Sequence, residues 1–201
     1  APHTPLQVPE KYYNMYKDLD PELGFKGESL ALKMSKKDKE DARRIYGMVT
    51  NIDDNVGKVL NKLTELGIEE DTIIIFMTDN GPQQFRYNSN MKGLKGTVYS
   101  GGTRVPFYIK YAEKFKNSKV ISRMSAHIDV LPTILELCNL NVPNDRKIDG
   151  QSLVPLINSK TFNDRYLFSY WTRRFPEKYI NMSIQNDNYK LVGNNDFDSK
   201  I

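Results

Sequence analysis

The chain has 201 residues, 39% of them hydrophobic and 27% charged, with a net charge of +4. That length can bury one sizeable core with room for a small appendage. The charge is modest and forms no long basic run, so there is no nucleic-acid footprint; no apolar stretch is long enough to span a membrane, and the single Cys138 excludes an internal disulfide.

The chain opens on Ala1-Pro2-His3-Thr4-Pro5, without an initiating Met, and closes just after a strand-like run. We read it as part of a longer polypeptide. Proline restricts the residue before it to extended backbone, so His3 sits on a stretched segment. Taken alone, that segment is a leader with an incidental histidine. Tyr12, Tyr13 and Tyr16 follow, either packing residues or the lining of a sugar or aryl site. Residues 19–32 contain Pro21, Gly24 and Gly27 without periodicity and read as a loop.

A long helix is expected from Lys36 to Leu66. Ser35 with Asp38 forms a capping pattern. Ala42, Ile45, Val49, Ile52, Val56, Val59, Leu60 and Leu63 recur at helical spacing, and Gly67 supplies the stop. Asp53 and Asp54 resemble paired acids, but neighbours on a helix point in different directions, so they read as solvated. Ile73 to Met77 is a continuous apolar run rich in β-branched residues, the pattern of a strand buried on both faces, as in a parallel sheet covered by helices.

That strand ends at Thr78-Asp79-Asn80-Gly81-Pro82. Ligands bind beyond the carboxyl ends of strands in open α/β sheets, and Asp79 and Asn80 offer hard oxygen ligands suited to Ca²⁺ or Mg²⁺. The alternative reading of Asp-Asn-Gly is an ordinary turn. Residues 83–91 then lead to Lys95, held between Gly93 and Gly96, with Gly101-Gly102 beyond. Backbone without Cβ lets a lysine approach an anion closely. A metal beside a lysine suits a sulfuryl or phosphoryl group.

Phe107 to Tyr111 is a second strand, with Arg104 before it as a structural or supporting cation. Residues 120–140 read as loop, short strand and helix, with Asp129 capping and Pro132 in the first turn. His127 is a structural histidine and Cys138 a core residue on the helix's apolar face. From Arg165, the runs Tyr166–Trp171, Tyr179–Gln185 and Tyr189–Val192 suggest antiparallel strands. Asn186-Asp187-Asn188 and Gly193-Asn194-Asn195 are their turns.

Thr78-Asp79-Asn80-Gly81-Pro82 followed by Gly93-Leu94-Lys95-Gly96-Thr97-Val98-Tyr99-Ser100-Gly101-Gly102-Thr103-Arg104-Val105-Pro106 resembles the second half of a sulfatase catalytic domain of the arylsulfatase type. The family usually has Glu where Ser100 stands. The segments 45–57, 127–138 and 148–157 resemble its architectural landmarks. The resemblance implies an α/β fold of the alkaline-phosphatase/sulfatase kind, a mixed sheet flanked by helices. Residues 1–160 would be the later part of the catalytic domain, and residues 161–201 the start of a small antiparallel C-terminal subdomain.

For the site, the resemblance implies that Asp79 and Asn80 bind Ca²⁺, ahead of Mg²⁺, and that Lys95 contacts the sulfate. His3, in a Pro-His-x-Pro element, would bind sulfate and protonate the leaving oxygen, since imidazole titrates near neutrality. The parent protein would hydrolyse aryl or carbohydrate sulfates with a formylglycine that lies upstream of this chain. These 201 residues alone would then be inactive and need the remainder of the catalytic domain. The resemblance also implies a periplasmic, secreted or lysosomal-type location. Two competing readings are a related phosphonate or phosphate-ester hydrolase and a non-catalytic homologue that binds sulfated glycans.

Overall fold

A computed structural model describes residues 2–25, 33–173, 175 and 180–193. The chain divides into two compact units, Ala1–Lys114 and Phe115–Ile201. The first contains α1 (Glu10–Tyr13), α2 (Lys36–Glu65), β1 (Ile74–Met77), α3 (Ser100–Thr103) and β2 (Phe107–Lys110). The second contains α4 (Val130–Leu137), α5 (Val154–Ile157), β3 (Leu167–Tyr170), β4 (Met182–Gln185) and β5 (Lys190–Gly193). Among the described residues no helix is long and apolar enough to cross a membrane.

Helix α2 organises the first unit, and both of its ends follow from the sequence. The Ser35 hydroxyl accepts the Asp38 N–H at 3.1 Å, and the Asp38 carboxylate accepts the Ser35 N–H at 3.0 Å, a reciprocal capping box. At the other end Gly67 takes φ +67°, a left-handed conformation that costs glycine little. The Gly67 N–H then bonds the Thr64 carbonyl, and the Ile68 N–H bonds that of Leu63, a Schellman stop.

Three tyrosines fasten residues 12–16 onto α2. Tyr12, only 8% exposed, donates to Asp54 at 2.8 Å, Tyr13 donates to Glu40 at 3.0 Å, and the Tyr16 hydroxyl meets that of Thr50 at 2.7 Å. Of the two readings left open by the sequence, these bonds to α2 match packing. Gly47 makes this docking possible: a Cβ there would come within 3.0 Å of the Tyr12 carbonyl oxygen and of Val8. Ala42 and Ile45 are buried beneath. Asp53 and Asp54 are exposed, as expected for solvated helix acids.

Several expectations change. Strand β1 pairs antiparallel with β2, Ile74 opposite Lys110 and Met77 opposite Phe107, so the parallel reading is incorrect. Phe76 and Met77 are each 39% exposed, so the strand is not buried on both faces. An apolar β-branched run reports a preference for burial, but not the direction of its neighbour. Val49 and Val59 lie on the exposed side of α2 although they fit the apolar period. Residues 21–25 form a 3₁₀ turn where a plain loop was expected; residues 26–32 of that loop lie outside the described residues.

In the second unit, β3, β4 and β5 form an antiparallel sheet in that order, as the aromatic and β-branched runs indicated. The 186–188 turn closes through Asn186, whose side-chain oxygen accepts the N–H groups of Asn188 and Tyr189. Positions 179, 194 and 195 of the expected strands and turns lie outside the described residues. Residues 120–129, all described, contain no strand where a short one was expected; a 3₁₀ turn, His127–Asp129, leads into α4. Cys138 is exposed, which corrects the expectation of a core thiol. The buried face of α4 carries Thr133 and Leu137 at i and i+4. Cys138 stands one position further round, about 100° away, where the helix has ended.

Asp129 stands at the N-cap position of α4, but its side chain makes no capping bond to that helix, which corrects the expected cap. It is fully buried and receives two bonds from Arg165, Nη1 at 2.6 Å on Oδ1 and Nη2 on Oδ2. It also accepts the N–H groups of Ala126 at 2.7 Å and Gln151 at 2.9 Å. One carboxylate thereby fastens the start of α4 to residues 151 and 165.

Candidate active site

The turn that follows β1 is locked to the glycine-rich block by backbone bonds. The Gly81 N–H donates to the Gly102 carbonyl at 2.9 Å, and the Lys95 N–H donates to the Pro82 carbonyl at 2.8 Å. Gly101 donates in turn to the Lys92 carbonyl at 2.8 Å. The glycines permit the close approach. A Cβ on Gly81 would lie 2.8 Å from the Gly101 carbonyl carbon and closer still to its oxygen; one on Gly101 would collide with the backbone of Lys92 and Gly93. These glycines are therefore packing requirements, and their spacing brings Asp79-Asn80 and Lys95 onto adjoining backbone.

The side chains at this junction are poised rather than spent. Asp79 and Lys95 are both exposed, and neither side chain forms a hydrogen bond or ion pair with a described residue. Asn80 turns its Nδ2 to the Gly81 carbonyl at 2.9 Å, so the amide's oxygen remains for a ligand. A carboxylate and an amide oxygen suit a hard cation, but they are two donors of the six to eight that Ca²⁺ takes. Among the described residues no group of three or more His, Cys, Asp or Glu side chains is placed to hold a metal.

His3 is exposed, with Nδ1 2.8 Å from the Thr4 carbonyl oxygen. A carbonyl oxygen only accepts, so Nδ1 is the donor there and Nε2 is the ring nitrogen left without a described partner. The structure brings Asp79, Asn80 and Lys95 together on one backbone junction. No described hydrogen bond joins His3 to that junction. Arg104 is exposed and forms no ion pair among the described residues. In the second unit a hollow lined by Gln151, Ser152, Pro155, Thr161, Phe162 and Asn163 carries no titratable group and none of the expected residues.

One residue escaped the sequence reading. Arg86 lies in the loop between the Asp79–Pro82 turn and Lys95, half-buried, and burial lowers its guanidinium pKa, with the Tyr46 phenol acting in the opposite direction. A lone arginine in a polar loop has no period or spacing that singles it out.

Comparison with known proteins identifies the family. The Sulfatase family model matches residues 1–140, and a model described as N-sulphoglucosamine sulphohydrolase, C-terminal, matches residues 94–199. An arylsulfatase of Clostridium perfringens is 31% identical over 178 residues, covering 79% of this chain and 36% of the relative. The chain thus spans about a third of that relative's length. Among solved structures, a sulfatase of Bacteroides fragilis aligns with a TM-score of 0.77 at 24% identity, over 94% of this chain and 41% of the other. A protein termed Ps i-CgsB, solved with k-i-k-neocarrahexaose, aligns with a TM-score of 0.68 at 25% identity, over 92% and 38%. The alkaline-phosphatase-like fold expected from the sequence is thus shared with solved sulfatases, and with its family model matched across 140 residues this chain belongs to the sulfatase family.

Proposed function

We propose that this chain forms one side of the active site of a sulfuric ester hydrolase acting on aryl or carbohydrate sulfates. The observation that carries this reading is the backbone lock between Gly81-Pro82 and Lys95, Gly102. It holds an anionic and an amide oxygen beside a cation, and neither Asp79 nor Lys95 is neutralised by a described partner. Asp79 and the Asn80 oxygen would hold Ca²⁺, which when bound would offset the negative charge of the sulfate. The Lys95 ammonium would meet a sulfate oxygen, where charge grows as the ester bond breaks. His3, its Nδ1 occupied by the Thr4 carbonyl, would present Nε2–H to the departing alkoxide or phenoxide oxygen. The nucleophile, a formylglycine, would belong to another part of the polypeptide. This chain by itself would turn over no sulfate ester. A location outside the cytosol, where calcium is abundant, would suit a site with so few protein ligands of its own.

The test is sulfate release from 4-nitrophenyl sulfate by the full-length polypeptide, with Lys95→Ala and Asp79→Ala compared. Loss of one charge-stabilising group of this kind costs about 10²–10³ in turnover. Turnover by Lys95→Ala within about threefold of the parent would contradict the assignment, as would equal or faster release of phosphate from 4-nitrophenyl phosphate.

A further inference from the structure

The loop of residues 83–94 leaves the Asp79–Pro82 turn and returns at Lys95, whose N–H closes the loop on the Pro82 carbonyl. Two further cations ride on it. Lys92 is exposed and places its ammonium 4.2 Å from the Tyr99 ring centre, a cation–π contact. Arg86 is half-buried and forms no hydrogen bond or ion pair with any described residue.

That combination sets Arg86 apart from the other half-buried arginines. Arg44 bonds Glu40 at 2.8 Å, and Arg43 lies 4.0 Å from the same carboxylate. Arg123 pairs with Asp164 and Asp187, both at 2.7 Å, and Arg165 grips Asp129. A guanidinium drawn out of water needs a counter-charge, because its hydration is lost without replacement. Among the described residues, each of these other arginines has a carboxylate within 4.0 Å, and Arg86 has none. Burial pushes the Arg86 guanidinium pKa down, and the Tyr46 phenol acts in the opposite direction. Tyr46 in turn stacks edge-on with Tyr16, ring centres 5.8 Å apart, on the segment that continues from His3. Arg86 therefore rides on the loop whose base is the Asp79–Lys95 junction, with the charge of its guanidinium felt by Tyr46 of α2.

We propose that Arg86 is a specificity residue that binds a second anionic group of the substrate, a carboxylate or a sulfate on the same or the neighbouring sugar. The proposal rests on the sulfatase reading of the Asp79–Lys95 junction. A planar guanidinium fork matches either anion in a bidentate fashion, and partial burial strengthens the interaction. A substrate with only its scissile sulfate would leave Arg86 unused.

The experiment uses the full-length polypeptide, its Arg86→Gln and Arg86→Lys variants, and a Lys92→Gln control. Two substrates are compared: 4-nitrophenyl sulfate, and a monosulfated disaccharide that carries a uronate carboxylate. With Arg86→Gln, kcat/KM on the disaccharide should fall about 10–100-fold, mainly through KM, while the nitrophenyl ester changes less than about threefold. Arg86→Lys should recover part of the loss, because it restores the charge without the fork. Lys92→Gln should leave both substrates unchanged. Equal losses on both substrates, or a lowered melting temperature in both Arg86 variants, would mean that Arg86 serves a carboxylate of the polypeptide, and the proposal fails. No loss on either substrate also overturns it. Disaccharide-induced thermal protection is recorded in parallel. If the parent hydrolyses neither ester but is protected, the sulfatase reading fails while Arg86 is still tested: protection retained in Arg86→Gln sinks the proposal. Absence of protection and turnover in the parent sinks both.

Discussion

Gly81→Ala should damage the candidate site from its backbone outward. Its Cβ would sit 2.8 Å from the Gly101 carbonyl carbon and closer to the oxygen, and 3.1 Å from the Gly102 Cα. All three atoms are backbone, so no side chain can swing aside. Overpacking of this kind costs about 1–3 kcal/mol. Parting the turn from α3 also strips the Gly81 N–H from the Gly102 carbonyl, a further 0.5–1.5 kcal/mol or so. The total is about 1.5–4.5 kcal/mol, or about 3–18 °C in melting temperature at 2–4 °C per kcal/mol for a chain of this size. Gly57→Ala is the matched control. It lies within α2, and its Cβ would meet nothing within 4 Å. That change should stabilise by about 0.5–1 kcal/mol through helix propensity. The assay is thermal unfolding together with hydrogen exchange of peptides spanning residues 81 and 95. Gly81→Ala should lower the melting temperature and speed exchange at both amides, because the Lys95 N–H bonds the adjacent Pro82 carbonyl. A melting temperature within about 1 °C of the parent, with exchange unchanged at both sites, would show that the close approach does not govern the junction.

Asp129→Asn should cost about 3–5 kcal/mol, since it leaves Arg165 buried against a neutral amide; Asp129→Leu combined with Arg165→Leu should lose less than the sum of the single changes, measured by denaturant unfolding in a double-mutant cycle. Ser35→Ala should destabilise by about 1 kcal/mol through loss of the α2 cap, with circular dichroism melting as the readout and Ser35→Asp as the rescue. The carboxyls of Glu22 and Asp20 are held below their ordinary range, chiefly by hydrogen bonds from Lys39, and Lys39 is raised in return, chiefly by Glu22. A depressed carboxyl gives stability that is present above its unfolded pKa of about 4 and lost as pH falls through the lower folded value. Unfolding followed from pH 6 to pH 2 should therefore show an acid-side loss that Glu22→Gln reduces; an unchanged pH profile in that variant would refute the coupling.

Local chemistry made much of this molecule legible before any coordinates. Ser35 with Asp38, and Gly67, set the ends of α2 because capping needs only neighbouring residues. Asn186 marked its turn for the same reason. The Asp79-Asn80 and Gly93–Gly102 blocks were visible as a pair because glycine at fixed spacing is a backbone requirement. Direction and partnership lay beyond reach. The Ile73–Met77 run fits a parallel or an antiparallel ladder equally well, so its pairing with Phe107–Lys110 was a tertiary choice. Cys138 looked buried because an apolar helix face predicts what is inside only while the helix lasts, and α4 stops one residue earlier. Arg165 finding Asp129 across the sequence, and Arg86 finding no acid among the described residues, depend on long-range packing that no local pattern encodes. The sequence by itself determined which segments become helix, turn and strand, and which side chains could do chemistry, because those preferences act over a few bonds. Only the tertiary structure decided which charges are neutralised and which are left for a ligand, because burial and counter-charge are properties of distant segments brought together.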